Sequence, residues 1–88
     1  MKHPDSDTKL QVIARAPFKV YYEGEATVVS ASNKVGPFDI LPGHADFFSV
    51  MSPGEVIIET GASEPVKFDV NNGIVTARDN EVMMFLNM

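Results

Sequence analysis

The chain has 88 residues, with 7 basic against 12 acidic side chains and a formal net charge of −5. A chain of this size makes one small domain that buries somewhat above ~60 % of its unfolded surface, which leaves no room for a deep ligand cavity. Without a Lys/Arg cluster nucleic acid is excluded as a partner, since phosphate neutralisation needs a basic patch. The absence of cysteine removes disulfides and thiolate zinc sites, and makes a reducing compartment the default.

No apolar run approaches 18 residues and the start, Met1 to Asp7, is polar, so neither a membrane-spanning helix nor a secretory signal is expected. Residues 1–7 read as a flexible leader, and 8–88 as a single domain. Leu10, Val12 and Ala14 alternate with Gln11, Ile13 and Arg15, a period of two that predicts a strand. Pro17-Phe18 breaks it, and Lys19 to Tyr22 forms the next strand, with Glu23-Gly24-Glu25 expected to turn the chain. Ala26 to Ala31 is small and β-branched, hence a third strand, closed by Ser32-Asn33-Lys34.

Gly36-Pro37-Phe38-Asp39-Ile40-Leu41-Pro42-Gly43-His44 then gives a short extended segment ending in a corner. Proline presets φ at the first central turn position and glycine supplies a positive φ at the second, so Pro42-Gly43 is a sharp turn that presents His44. Phe47 to Met51 and Glu55 to Glu59 are strands separated by Ser52-Pro53-Gly54. Val66, Phe68 and Val70 alternate with Lys67 and Asp69, the clearest half-buried strand. Asn71-Asn72-Gly73 and Asp79-Asn80 are expected to be tight hairpin turns, delimiting strands Ile74–Arg78 and Glu81–Leu86. About nine short strands separated by turn signals, without helical periodicity, predict an all-β sandwich or barrel.

Several residues carry chemistry that the pattern alone leaves open. His44 with Asp46 two residues on would share one face of a strand, yet a metal needs three or four ligands and the other histidine, His3, lies in the leader. Glu23/Glu25, Glu55/Glu59 and Asp79/Glu81 are carboxylate pairs of the kind glycosidases use, but they flank turns, where solvated charge is expected. Phe47 and Phe48 should face opposite ways, as should Tyr21 and Tyr22. Val82, Met84 and Leu86 fit one face of the last strand and Met83 and Phe85 the other, so that strand is either central or covered by a partner.

Tyr22-Glu23-Gly24-Glu25-Ala26, then Gly36-Pro37-Phe38-Asp39-Ile40-Leu41-Pro42-Gly43-His44-Ala45, then Pro53-Gly54-Glu55-Val56 resemble the N-terminal β-sandwich domain of the epsilon subunit of F-type ATP synthases, called delta in mitochondria. Phe68 to Val70, Gly73-Ile74-Val75 and Arg78 to Val82 fit the same register, so the resemblance covers roughly Thr8 to Leu86. It implies a two-sheet β-sandwich of ten strands, five in each sheet. It also implies a non-catalytic rotor subunit at the foot of the central stalk, coupling gamma to the membrane c-ring in proton-driven ATP synthesis. The alpha/beta head would be met only indirectly, without cofactor, metal or direct membrane insertion. Such a subunit is a peripheral protein on the cytoplasmic (or stromal or matrix) face.

Position by position, the resemblance implies a gamma-facing set of His44, Ala45, Phe47, Phe48 and Ser49. It implies a c-ring-facing set of Asn33, Lys34, Gly36, Pro37, Phe38, Asp39, Pro42, Gly43 and His44. Pro37 stands where relatives often carry a carboxylate, Asp39 replaces a small residue, Asp46 a proline, and Asn72-Gly73 the usual Gly-Gly. The sequence stops at Met88, before the helical hairpin that the family commonly adds, so neither inhibition of hydrolysis nor ATP binding is implied. A stand-alone sandwich that binds a ligand such as a sugar, and a small hydrolase using His44 or the carboxylates, are the alternatives from other classes.

Overall fold

A computed structural model describes residues 9–61 and 64–87. The leader expected at residues 1–7 lies outside them. The strands are β1 (Leu10–Ala16), β2 (Lys19–Ala26), β3 (Val28–Asn33), β4 (Gly36–Ile40), β5 (Phe47–Met51), β6 (Gly54–Glu59), β7 (Val66–Val70), β8 (Gly73–Arg78) and β9 (Glu81–Leu86). They form a five-stranded sheet, β2-β1-β9-β8-β5, and a four-stranded sheet, β4-β3-β6-β7. All pairs are antiparallel except β1 with β9, which joins the first strand to the last. The all-β sandwich is as expected. The described residues hold nine strands rather than the ten implied by resemblance, because the second sheet has four.

Period-two patterning places the core. Leu10, Val12 and Ala14 of β1, Val75 and Ala77 of β8, and Val82, Met84 and Leu86 of β9 face Val29, Ala31, Ile40, Val56, Ile58 and Val70 of the other sheet, all buried. Among the described residues no polar or charged side chain is buried, so the side chains between the sheets hold together by apolar burial and close packing.

Three local expectations are corrected. Glu23-Gly24-Glu25 does not turn the chain: the three residues continue β2, paired with Ile13, Val12 and Gln11. The crossing to the second sheet comes at Thr27, whose N–H donates to Glu59 O at 2.7 Å. Asn71-Asn72 is not a hairpin turn either, since β7 and β8 belong to different sheets. Gly73 is required there for close approach, because a Cβ would lie 2.6 Å from Phe85 O. Tyr21 and Tyr22 do not alternate, because the β1–β2 register shifts between Ala14 and Arg15 and inserts an extra residue in β2. Both tyrosines pack against the core, Tyr21 stacked on Phe68 with ring centroids 4.7 Å apart.

Two other turns match their sequence chemistry. His44 N–H donates to Leu41 O at 3.1 Å, and Gly43 has φ 83°, the geometry of a type II turn with Pro42 first. Asp79 and Asn80 have φ 51° and 62° and close the β8–β9 hairpin in the doubly left-handed manner that matches strand twist.

Candidate functional site

Three features position the candidate residues: the corner 41–46, the turn between β3 and β4, and the outer face of the five-stranded sheet. The corner is tied to the β8–β9 turn, where Gly43 N–H donates to Asn80 Oδ1 at 2.7 Å. Asn80 O in turn accepts from Gln11 N–H at 2.8 Å, so one residue joins the corner, the hairpin tip and the start of β1. Arg78 Nε reaches Asp46 Oδ2 at 3.9 Å, an exposed pair that adds little by itself. His44 is exposed, with Nδ1 2.7 Å from Ala45 O and its ring edge-on to Phe47 at 5.6 Å. A carbonyl only accepts, so Nδ1 carries the proton in this contact.

The β3–β4 turn lies at the other end of β4. Asn33 Oδ1 accepts from Val35 N–H at 2.9 Å and Gly36 N–H at 3.3 Å, a side-chain clasp that leaves Val35 96 % exposed at the tip. Asn33 Nδ2 donates to Ser49 Oγ at 3.0 Å, and Ser52 N–H to Ser32 O at 3.0 Å, so this tip is fastened to the far end of β5.

The expected sets therefore divide. Of the gamma-facing residues, His44 and Ala45 are exposed at the corner and Phe48 points outward at 65 % exposure. Phe47 packs inward against the core and against Phe38, ring centroids 5.1 Å apart, and Ser49 is half-buried against Asn33. Of the c-ring-facing residues, Asn33, Lys34 and Gly36 sit at the turn, while Pro42, Gly43 and His44 sit at the opposite end of β4. Pro37 and Asp39 lie on the outer face of the four-stranded sheet, and Phe38 turns inward.

The outer faces of the two sheets differ in kind. On the four-stranded sheet, Asp39, Ser30, Ile57 and Lys67 form one cross-strand row, and Ser30 Oγ donates to Asp39 Oδ1 at 2.6 Å. On the five-stranded sheet two rows cross every strand: Phe48–Thr76–Met83–Ile13–Glu23 and Val50–Ile74–Phe85–Arg15–Val20. Phe48, Val50, Val20 and Met83 are exposed there. Two shallow, open hollows of about 690 Å³ and about 440 Å³ lie along the first row and share Glu81 and Met83 in their linings. The patch they line is apolar and open to solvent, rimmed by the charges of Asp46, Arg78, Asp79, Glu81 and Glu23.

Reading the chain alone finds Phe48 and Met83 but misses Val50, Ile74 and Val20. Their signal was available: Phe47 to Met51 is apolar in both phases of the pleat except at Ser49, the pattern of a strand that is apolar on both faces. The three carboxylate pairs are exposed throughout, whereas glycoside hydrolysis needs one carboxyl sheltered from water. Among the described residues no three His, Cys, Asp or Glu side chains group to hold a metal, and no helix is long and apolar enough to cross a membrane.

The family described as ATP synthase, Delta/Epsilon chain, beta-sandwich domain matches residues 9–87. The ATP synthase epsilon chain of Xanthomonas campestris pv. campestris (strain B100) is 30% identical over 66 residues, 75% of this chain and 47% of that protein. The one from Xanthomonas euvesicatoria pv. vesicatoria (strain 85-10) is 30% identical over 69 residues, 78% of this chain and 49% of that protein. The chain thus spans about half the length of the curated relatives it matches. In fold it is similar to a chain of the Euglena gracilis mitochondrial ATP synthase structure containing OSCP, F1 and c-ring, with TM-score 0.83, 12% identity, and coverage of 90% of this chain and 51% of that one. It is similar also to a chain of the Tetrahymena thermophila mitochondrial ATP synthase central stalk and c-ring, with TM-score 0.79, 20% identity, and coverage of 91% and 64%. A match over residues 9–87, on a two-sheet sandwich with the Pro42-Gly43-His44 corner in place, makes this chain a member of the ATP synthase Delta/Epsilon chain, beta-sandwich domain family.

Proposed function

We propose that this domain is a central-stalk rotor subunit of an F-type ATP synthase, holding the gamma subunit to the membrane c-ring during proton-driven ATP synthesis. The observation that carries the reading is the uncovered apolar outer face of the five-stranded sheet on a member of the Delta/Epsilon family. Curated relatives named ATP synthase epsilon chain, and the similarity to chains of central stalk and c-ring assemblies, support it.

On this reading gamma lies on that face, anchored by Phe48 and Val50 and bordered by His44 and Ala45 at the corner. Pro42 and Gly43 then serve gamma by fixing the corner. The c-ring is met at the other end of β4 by Asn33, Lys34 and Gly36, with exposed Val35 at the tip. The domain performs no chemistry. A sandwich with a close-packed apolar core and hydrogen-bonded sheets is stiff, and stiffness is what torque transmission between two partners needs. Contact with the alpha/beta head is indirect, and the membrane, on its cytoplasmic, stromal or matrix side, is reached through gamma and the c-ring without insertion.

Tagging the chain in its host, solubilising membranes gently and identifying the co-purifying proteins tests this. Gamma, alpha, beta and c subunits in fixed proportion are expected. Recovery of the chain alone from the soluble fraction would overturn the proposal.

A further inference from the structure

Three described methionines occupy unlike environments. Met84 is fully buried in the core, Met51 is 4% exposed, and Met83 is 41% exposed. Alternation along β9 produces the contrast, since neighbouring residues of a strand point to opposite faces. Met83 sits in the central strand of the five-stranded sheet, between Thr76 of β8 and Ile13 of β1. It is also a common wall of the two hollows, so its side chain stands at the middle of the apolar docking face.

We infer that Met83 is an oxidation site whose conversion to the sulfoxide blocks docking of the free subunit, an inference that rests on the docking face proposed above. The reactant is a hydroperoxide. The thioether sulfur attacks the distal oxygen of hydrogen peroxide, the O–O bond breaks, one oxygen is transferred to sulfur, and the other leaves as water. Sulfur is oxidised by two electrons and the peroxide reduced by two, so no further co-reactant is needed. The product replaces a soft apolar contact by a polar, chiral S=O group, which a dry interface leaves without a partner. Assembly protects the site, because a bound partner covers the face. A sulfoxide-bearing subunit is held back from the complex until methionine sulfoxide reductases, one for each epimer, restore the thioether.

The test treats the free 88-residue chain with hydrogen peroxide and localises the added oxygen by tandem mass spectrometry. Met83, Met84 and Met88 share the tryptic segment that follows Arg78, so fragment ions must separate them. Met83 sulfoxide is expected well before Met84 or Met51 sulfoxide. Binding of purified gamma to the oxidised chain is expected to weaken about tenfold or more, the scale of one unpaired buried polar group. Reductase treatment should restore it. Met83→Leu keeps the apolar shape without the sulfur, and should bind gamma after peroxide as tightly as before. Oxidation of Met51 or Met84 at the same rate as Met83 would overturn the assignment of the site. Unchanged gamma affinity of the Met83 sulfoxide would overturn its blocking role. Failure of the untreated chain to bind gamma would instead overturn the docking reading, while the oxidation map stands or falls on its own measurement.

Discussion

Phe48 gives the sharpest test of the proposed docking face, because holding the fold and holding a partner would fall on different neighbours. Its neighbour Phe47 packs inward, whereas Phe48 is 65 % exposed on the outer face. A phenylalanine side chain offers about 200 Å² of apolar surface, so roughly 130 Å² of Phe48 is open to water in the free domain. At ~25 cal/mol per Å², covering it is worth about 3 kcal/mol, and Phe48→Ala forfeits about 2–3 kcal/mol of that. Gamma affinity is therefore expected to fall about 30- to 150-fold. The free domain should lose no more than about 1–2 kcal/mol, because only about 70 Å² of that side chain is buried within it. Phe47→Ala should do the reverse and cost about 3 kcal/mol or more of folding stability. Calorimetric titration with gamma and urea unfolding of each variant measure the two quantities separately. A Phe48→Ala variant that binds gamma normally, or one that unfolds as readily as Phe47→Ala, would refute the assignment of faces.

Three further outcomes follow from the packing. Gly73→Ala forces a Cβ to within 2.6 Å of Phe85 O and should cost about 1–3 kcal/mol, lowering Tm by about 4–8 °C per kcal/mol in a thermal melt. Met84→Ala should lose about 2–5 kcal/mol in urea unfolding and Met83→Ala clearly less, since Met84 is fully buried whereas Met83 is 41% exposed. Asn80→Gly suits the left-handed turn but leaves Gly43 N–H without its 2.7 Å acceptor, so a net loss of about 1 kcal/mol and faster hydrogen exchange at the Gly43 amide are expected.

Much of this architecture is written locally. Val66 to Val70, Glu81 to Leu86 and the Pro42-Gly43 and Asp79-Asn80 turns are set by alternation and by residues that accept a positive φ, both of which act within a few residues. Sheet membership is not local. Asn71-Asn72-Gly73 has hairpin chemistry, yet it crosses between sheets because β8 pairs with β5 and β9 rather than with β7. Glu23-Gly24-Glu25 likewise has turn composition, overridden by pairing with β1. The exposed apolar face was half legible. Phe48 and Met83 stand out as apolar in the wrong phase, but the rows that join them to Val50, Ile74 and Val20 exist only through strand order and register. The c-ring set fared differently: nearness in sequence around β4 concealed that its members lie at both ends of a strand and on two of its faces.

The central claim is that gamma lies on the five-stranded sheet, and the absence of cysteine from the chain makes it directly testable. A single cysteine carrying a short photo-crosslinker is placed either on the outer face of that sheet, as Val50→Cys, or on the outer face of the other, as Ile57→Cys, and each variant is irradiated with purified gamma. Efficient crosslinking from position 50 and none from position 57 is predicted. Crosslinking from position 57, or from neither position while the complex remains intact, would contradict the account.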